Sequence, residues 1–217
     1  MRAFFFRNGL SIAVLGMMLA AWTAQAVTGH AAHNDELIRH GVASIGWGDY
    51  LCGGDFWSAT FENWESEFLQ MGVYVLLTVW LRQKGSAESR PMPGEEDPGD
   101  TTAPVEQQPA AWRRGGAVRW LYANSLSIAF LLLFAACFGG HLIGSWHKEL
   151  AEAAMHHERP PTLGEYAVDP SFWFESFQNW QSEFLAVFSL VVLSIFLRQK
   201  DSPQSKAVDE PNAKTGT

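Results

Sequence analysis

Asn63 and Glu67 stand four residues apart, and the same two residue types recur four apart at Asn179 and Glu183. On a helix, residues at that spacing share a face. Each pair sets a carboxylate beside a neutral amide oxygen, a combination suited to sharing a proton or holding a cation. A second recurrence is Glu36 with His40 and Glu152 with His156, again four apart. A carboxylate and an imidazole so spaced can hold a metal ion on a helix face, and such histidines can also respond to mildly acidic pH. Neither recurrence carries a catalytic signature. There is no HExxH, no ordered Ser/His/Asp set, no phosphate-cradling glycine loop and no Cys-x-x-Cys. This chemistry calls for no cofactor and does not point to an enzyme.

The recurrences share one offset. FENWESEFL at 61–69 and FQNWQSEFL at 177–185 lie 116 residues apart, and each leads into an apolar run that closes on Leu-Arg-Gln-Lys. The same offset pairs Asn8, Leu10, Ser11, Ile12 and Ala13 with Asn124, Leu126, Ser127, Ile128 and Ala129. It also pairs Gly48, Tyr50, Phe56 and Trp57 with Gly164, Tyr166, Phe172 and Trp173. This reads as a tandem duplication of a helical hairpin. Glu62 and Glu65 become Gln178 and Gln181, so Glu67/Glu183 is the acidic pair that persists in the motif.

Residues 10–27 follow Arg2 and Arg7 and contain no charge, which suits a transmembrane helix. A basic start, an apolar core and Ala24-Gln25-Ala26 also fit a cleaved signal peptide. The internal counterpart, residues 126–143, cannot be one, and this favours a retained helix. Phe68 to Leu81 is an apolar run of 14 residues, about 21 Å as a helix. Crossing about 30 Å takes about 20 residues, so this helix has to begin near Phe61 or Glu62. That draws Asn-Trp-Glu-Ser-Glu into the outer part of the span.

The expected fold is all-α and integral to the membrane, with four transmembrane helices as two tandem, parallel-repeat hairpins. The first hairpin occupies 1–84, with helices at about 8–28 and 61–82. The second occupies 119–200, with helices at about 124–143 and 175–198. Residues 85–118 are rich in Gly, Ser, Pro and acid and read as a flexible cytoplasmic linker, and 201–217 as a disordered cytoplasmic tail. The N-terminus, the segment 82–119 and the chain from 198 onward hold 2, 6 and 4 of the 15 Lys/Arg, against 1 and 2 in the intervening loops. Both termini and the linker are therefore expected in the cytoplasm. Trp57, Trp64, Trp146, Trp173 and Trp180 then fall near the outer boundary, and Trp80, Trp112 and Trp120 near the inner one, as an aromatic belt.

In this frame Glu67 sits roughly 9 Å below the outer boundary, where a carboxylate should face the protein interior or water. Two readings follow. Glu67 and Glu183 can meet across the pseudo-twofold axis as a proton or cation site, with Asn63 and Asn179 as oxygen ligands. Alternatively, acids near the start of an inward-running helix are stabilised by its dipole and serve packing. The seven histidines all fall on or near the outer side. Asn8 and Asn124 read as helix N-caps, Tyr50 and Tyr166 as loop anchors at the headgroup level, and Gly139-Gly140 as a place where helices approach closely. Cys52 falls outside the membrane and Cys137 within a helix, so no disulfide is expected. The net charge of −8 argues against a nucleic-acid partner.

With NWESEFL and NWQSEFLAVFSLVVLSIFLRQK both present, the chain resembles an uncharacterised bacterial inner-membrane family, a domain of unknown function with doubled hairpins, NWxSEFL motifs and QKGS-like ends. The resemblance runs from Phe4 to Ser205; Gln83-Lys84-Gly85-Ser86 keeps the QKGS end, while the second copy reads Gln199-Lys200-Asp201-Ser202. It implies a bacterial inner-membrane location and no particular activity. The leading expectation is a structural or interaction role, with the lipid bilayer and another membrane protein, a second copy included, as partners. The alternatives are a proton or cation channel or transporter at Glu67 and Glu183, and an external metal-binding sensor or enzyme.

Overall fold

Long stretches without an interior proline can propagate a helix unbroken, and four such stretches dominate this chain. The computed structural model describes residues 2–95 and 103–216, and the regular structure among them is helical. In chain order the helices are α1 (Arg2–Arg7), α2 (Gly9–Arg39), α3 (Trp47–Cys52), α4 (Gly54–Trp80), α5 (Ala110–Arg113), α6 (Gly116–Ala123), α7 (Ser125–His156), α8 (Leu163–Tyr166) and α9 (Pro170–Phe196). A 3₁₀ turn spans Val105–Gln107. Pro170 occupies the first position of α9, where its missing N–H costs nothing.

Three helices, α2, α7 and α9, are long and apolar enough to cross a membrane. Helix α4 has the same 27 residues as α9 but carries Asp55, Glu62, Glu65 and Glu67, and it is not among the three. The helices outrun their expected bounds. α2 and α7 continue past the apolar run through polar residues rich in Ala, Glu and His, and α4 and α9 begin earlier, at Gly54 and Pro170. A left-handed residue stops the first two. Gly41 has φ 75°, with Gly41 N–H donating to Ile38 O and Val42 N–H to Leu37 O. His157 has φ 56°, with His157 N–H donating to Ala154 O and Glu158 N–H to Ala153 O. Both ends are Schellman motifs.

Asn8 and Asn124 do not cap by accepting a hydrogen bond. Each side-chain amide donates backwards, Asn8 Nδ2 to Phe4 O at 2.9 Å and Asn124 Nδ2 to Trp120 O at 2.8 Å. They close the short helices α1 and α6 just before the long helices begin.

The chain forms two compact units. Unit 1 is Met1–Glu62 with Phe138–Phe172, and unit 2 is Asn63–Cys137 with Trp173–Thr217. Unit 1 has an aromatic core in two parts. Trp22 stacks on Phe56 at 6.0 Å, and Tyr50 meets Phe56 at 5.8 Å. Phe138 meets Phe172 at 5.5 Å, and Tyr166 meets Phe172 at 5.8 Å. Tyr50 and Tyr166 are therefore buried anchors inside the protein and not surface anchors at a headgroup layer.

The close helix approach in unit 1 falls at Gly140 and Gly144, four apart on α7. A Cβ on Gly144 would stand 2.8 Å from Ser58 N, and one on Gly140 would stand 2.5 Å from the Phe61 ring. Gly54 is equally tight, 2.7 Å from Gly144 O. The Ser58 and Ser145 hydroxyls bond across this contact. This is a small-residue helix interface. Gly139, half of the Gly-Gly pair singled out from the sequence, has nothing within 4 Å of its would-be Cβ.

In unit 2 the loop after α4 and the chain after α9 are tied together. Lys206, 1% exposed, donates to the carbonyls of Gly85, Asn212 (3.1 Å) and Lys214 (3.0 Å). Gly216 N–H donates to Ser86 O at 2.9 Å, and Gly85 N–H to Thr215 Oγ1 at 3.0 Å. Residues 201–216, expected from their polarity to be a disordered tail, thus pack on residues 85–89. A buried ammonium needs several acceptors, and these loop carbonyls supply them. The expected linker holds the 3₁₀ turn and α5, and its centre, residues 96–102, lies outside the described residues.

Gly144→Ala should lower the unfolding free energy of the detergent-solubilised protein by about 1–3 kcal/mol, because backbone has to move to admit the methyl. Gly139→Ala should leave it unchanged or raise it by up to about 1 kcal/mol. Denaturant unfolding followed by tryptophan fluorescence checks both, and equal effects would contradict the packing.

Candidate functional site

The polar motif of α4 divides by helix face. Glu65, Ser66 and Gln70 are buried, while Asn63 and Glu67 are exposed. Glu65 is 0% accessible, and its Oε1 accepts from Trp180 Nε1 at 3.3 Å. Gln70 Nε2 donates to Glu183 O at 3.1 Å. Trp180 is itself held by rings, with centroids of Phe177 at 5.4 Å and Phe134 at 6.1 Å. Of the four residues nominated from the sequence, Glu67 and Glu183 come close enough to interact electrostatically. Asn179 and Glu183 are half-buried.

The buried acid is thus Glu65 and not Glu67. Sequence reasoning set Glu65 aside because the second copy has Gln181 there. Its partner Trp180 corresponds in the repeat to Trp64, not to Glu65, so no symmetry rule would pair the two. The one available signal was the helical spacing of Glu65, Ser66 and Gln70, which separates them from Asn63 and Glu67.

Unit 1 gathers the second set. Glu36, His40, Glu152 and His156 all line one cavity of about 50 Å³, together with His33 and Asp55. The His40 and His156 ring centroids are 5.7 Å apart at an interplanar angle of 87°. His33 Nδ1 lies 3.5 Å from Asp55 Oδ2. The four residues come from the C-terminal parts of α2 and α7, where both helices run on past their apolar stretches. Lys148 also lines the cavity.

The other histidines have different surroundings. His30 Nε2 is 3.1 Å from Ile45 O, and its ring stacks on Trp47 at 4.1 Å. His141, expected at the outer edge with the loop histidines, is 0% exposed inside α7, with its ring 5.0 Å from that of Phe172. A ring nitrogen of His141 and a carboxylate oxygen of half-buried Glu62 lie within 4.8 Å of one another. His141 lies within the helix expected at 124–143, and its burial comes with packing against Phe172. Cys52 is exposed, Cys137 is buried, and both are free thiols.

Charge near unit 1 is tuned locally. Burial first, and then the Asp55 carboxylate, push the Tyr50 hydroxyl up from its ordinary range. In the loop before α8, Thr162 and Glu165 form a capping box, and Arg159 pairs with Glu165. The Arg159 hydrogen bond, followed by those from Thr162, holds the Glu165 carboxyl down at about 2.

These features define an all-helical protein in which three long apolar helices suit a membrane. The chain belongs to a family described as a domain of unknown function (DUF6766), whose model matches residues 1–217. Comparison with curated proteins and with solved structures gives no match.

Because the folded-state value of Glu165 lies below its ordinary one, the capping box contributes stability above about pH 4.5, and this is lost as pH falls towards about 2. Amide protection factors at Glu165 and Tyr166, which correct exchange rates for the intrinsic pH dependence, should fall over that window in the native chain. In Glu165→Gln they should be low and flat across the same range.

Proposed function

We propose that the chain is a four-span bacterial inner-membrane protein made of two tandem helical hairpins, both termini cytoplasmic, whose role is structure and interaction within the bilayer. The observation that carries this reading is the burial of Glu65 against Trp180. The deepest acid of the motif is spent on holding α4 to α9 and does not line a path for ions.

Several contacts support the tandem arrangement, since they recur at the 116-residue offset. Tyr50–Phe56 and Tyr166–Phe172 have the same 5.8 Å ring separation. His30 approaches Ile45 O, and Trp146 Nε1 donates to Pro161 O. Gln83 N–H donates to Ser89 Oγ and Gln199 N–H to Ser205 Oγ, both at 2.9 Å. The Schellman ends at Gly41 and His157 are equivalent in the same way. For α4 as the fourth span, 27 residues give about 40 Å of helix, more than the roughly 30 Å of hydrocarbon. Ser58, Thr60, Ser66, Gln70 and Glu65 Oε1 have protein partners, as polar groups of an intramembrane segment require. The Lys/Arg distribution supports the orientation. Exposed Leu132, Phe188 and Leu193 supply apolar surface for lipid or for another membrane protein, a second copy included.

The electrostatic proximity of Glu67 and Glu183 favours the second reading, a proton or cation conductor. Exposure of Glu67 counts against a shared enclosed site.

Liposomes carrying the purified protein separate the two. We expect no pH-driven proton or monovalent-cation flux in the native chain or in Glu67→Gln/Glu183→Gln. We expect Trp180→Phe to lower the unfolding free energy by about 1–3 kcal/mol, since it leaves the Glu65 carboxylate without that donor. Flux in the native protein that disappears in a folded Glu67→Gln/Glu183→Gln variant would overturn the structural reading.

A further inference from the structure

We propose that the cavity between the C-terminal parts of α2 and α7 in unit 1 is a binding site for a divalent transition-metal ion of the zinc class. His40 and His156 are the imidazole ligands, and Glu36 and Glu152 supply carboxylate oxygen.

The geometry is the first argument. Imidazole nitrogen binds such an ion at about 2.0–2.1 Å, and two imidazoles on one tetrahedral ion then have centroids roughly 5 Å apart. His40 and His156 stand at 5.7 Å with rings nearly perpendicular. Both, like Glu36 and Glu152, are exposed, and their side chains have to rotate to converge on an ion, since three of their ligand atoms do not lie within 4.8 Å of one another in this structure. The second argument is the ligand set. Each histidine follows its glutamate by one helical turn, so two separate helices each present an oxygen and a nitrogen to the same space. Imidazole with carboxylate suits zinc and its neighbours better than it suits calcium or magnesium. The third is room: about 50 Å³ leaves space for an ion with water.

The surroundings fit as well. His33 with Asp55 forms a histidine–carboxylate pair in the same wall. Lys148 also lines the cavity. A bound ion would tie together the ends of α2 and α7, the equivalent helices of the two repeats. This inference uses unit 1 alone and stands whether or not the four-span reading holds.

The test uses the full chain in detergent, without a histidine tag, titrated with Co²⁺ and followed by its visible d–d absorption, then with Zn²⁺ in competition. The native protein should bind one Co²⁺ per chain with the intense absorption of a tetrahedral site, displaced by Zn²⁺. His40→Ala and His156→Ala should each weaken binding by about tenfold or more, and Glu36→Gln/Glu152→Gln should reduce the absorption. His147→Ala, which alters a histidine outside the cavity, should bind like the native chain. No Co²⁺ binding by the native protein would overturn the proposal. So would native-like binding by His40→Ala/His156→Ala with its helical circular dichroism intact.

Discussion

A polar group carried into apolar surroundings has to be met by another part of the protein, and that requirement shapes this fold. In unit 2 it is met where Trp180 donates to the fully buried Glu65 and where Gln70 reaches the Glu183 carbonyl. In unit 1, Trp22 and Gln25 both donate to the nearly inaccessible Thr60 hydroxyl at 3.2 Å, and Ser58 pairs with Ser145. Hydrophobic burial cannot hold helices together where lipid is as apolar as leucine, so close packing and interhelical hydrogen bonds take over. Small residues make the approach possible, and the hydroxyls and amides then fix the register. The largely apolar surface that remains exposed on α2, α7 and α9 is the complement of this polar interior.

The same logic governs the loops that follow α4 and α9. Each begins with Gln-Lys and folds back through a serine six residues on, whose hydroxyl accepts from the glutamine N–H just past the helix. The second loop then diverges. Where the first copy has exposed Arg90, the second has Lys206, whose ammonium is buried among loop carbonyls. Burial draws that ammonium below its usual range. The two loops share this turn, and a single basic residue turned inward gives unit 2 its local closure.

Much of the helical plan was legible in the sequence because it rests on local physics. Apolar runs without proline locate the long helices, and the 116-residue offset locates their counterparts. The bounds were less legible. Apolar content marks where a helix can sit in lipid, but α2 and α7 stop at Gly41 and His157, and nothing about histidine announces a left-handed residue. The site was legible in part. The i,i+4 pairs on α2 and α7 line one cavity. Glu65 was hidden because its partner is not its repeat equivalent. Gly144 was hidden because its role depends on what faces it, whereas Gly139 and Gly140 stand out only by being adjacent.

The account turns on α4, the one long helix whose acids keep it from being apolar enough on composition alone. If its polar groups are answered within the protein, it crosses the membrane, and the loop after it lies opposite Cys52. The most direct measurement is labelling of intact cells with a membrane-impermeant maleimide, comparing native Cys52 with a cysteine introduced by Glu95→Cys in a Cys52→Ser background. The account predicts that Cys52 labels from outside and that the Glu95→Cys thiol labels only after the membrane is opened. Labelling of both from the same side would mean that α4 does not span, and the two-hairpin architecture would fall with it.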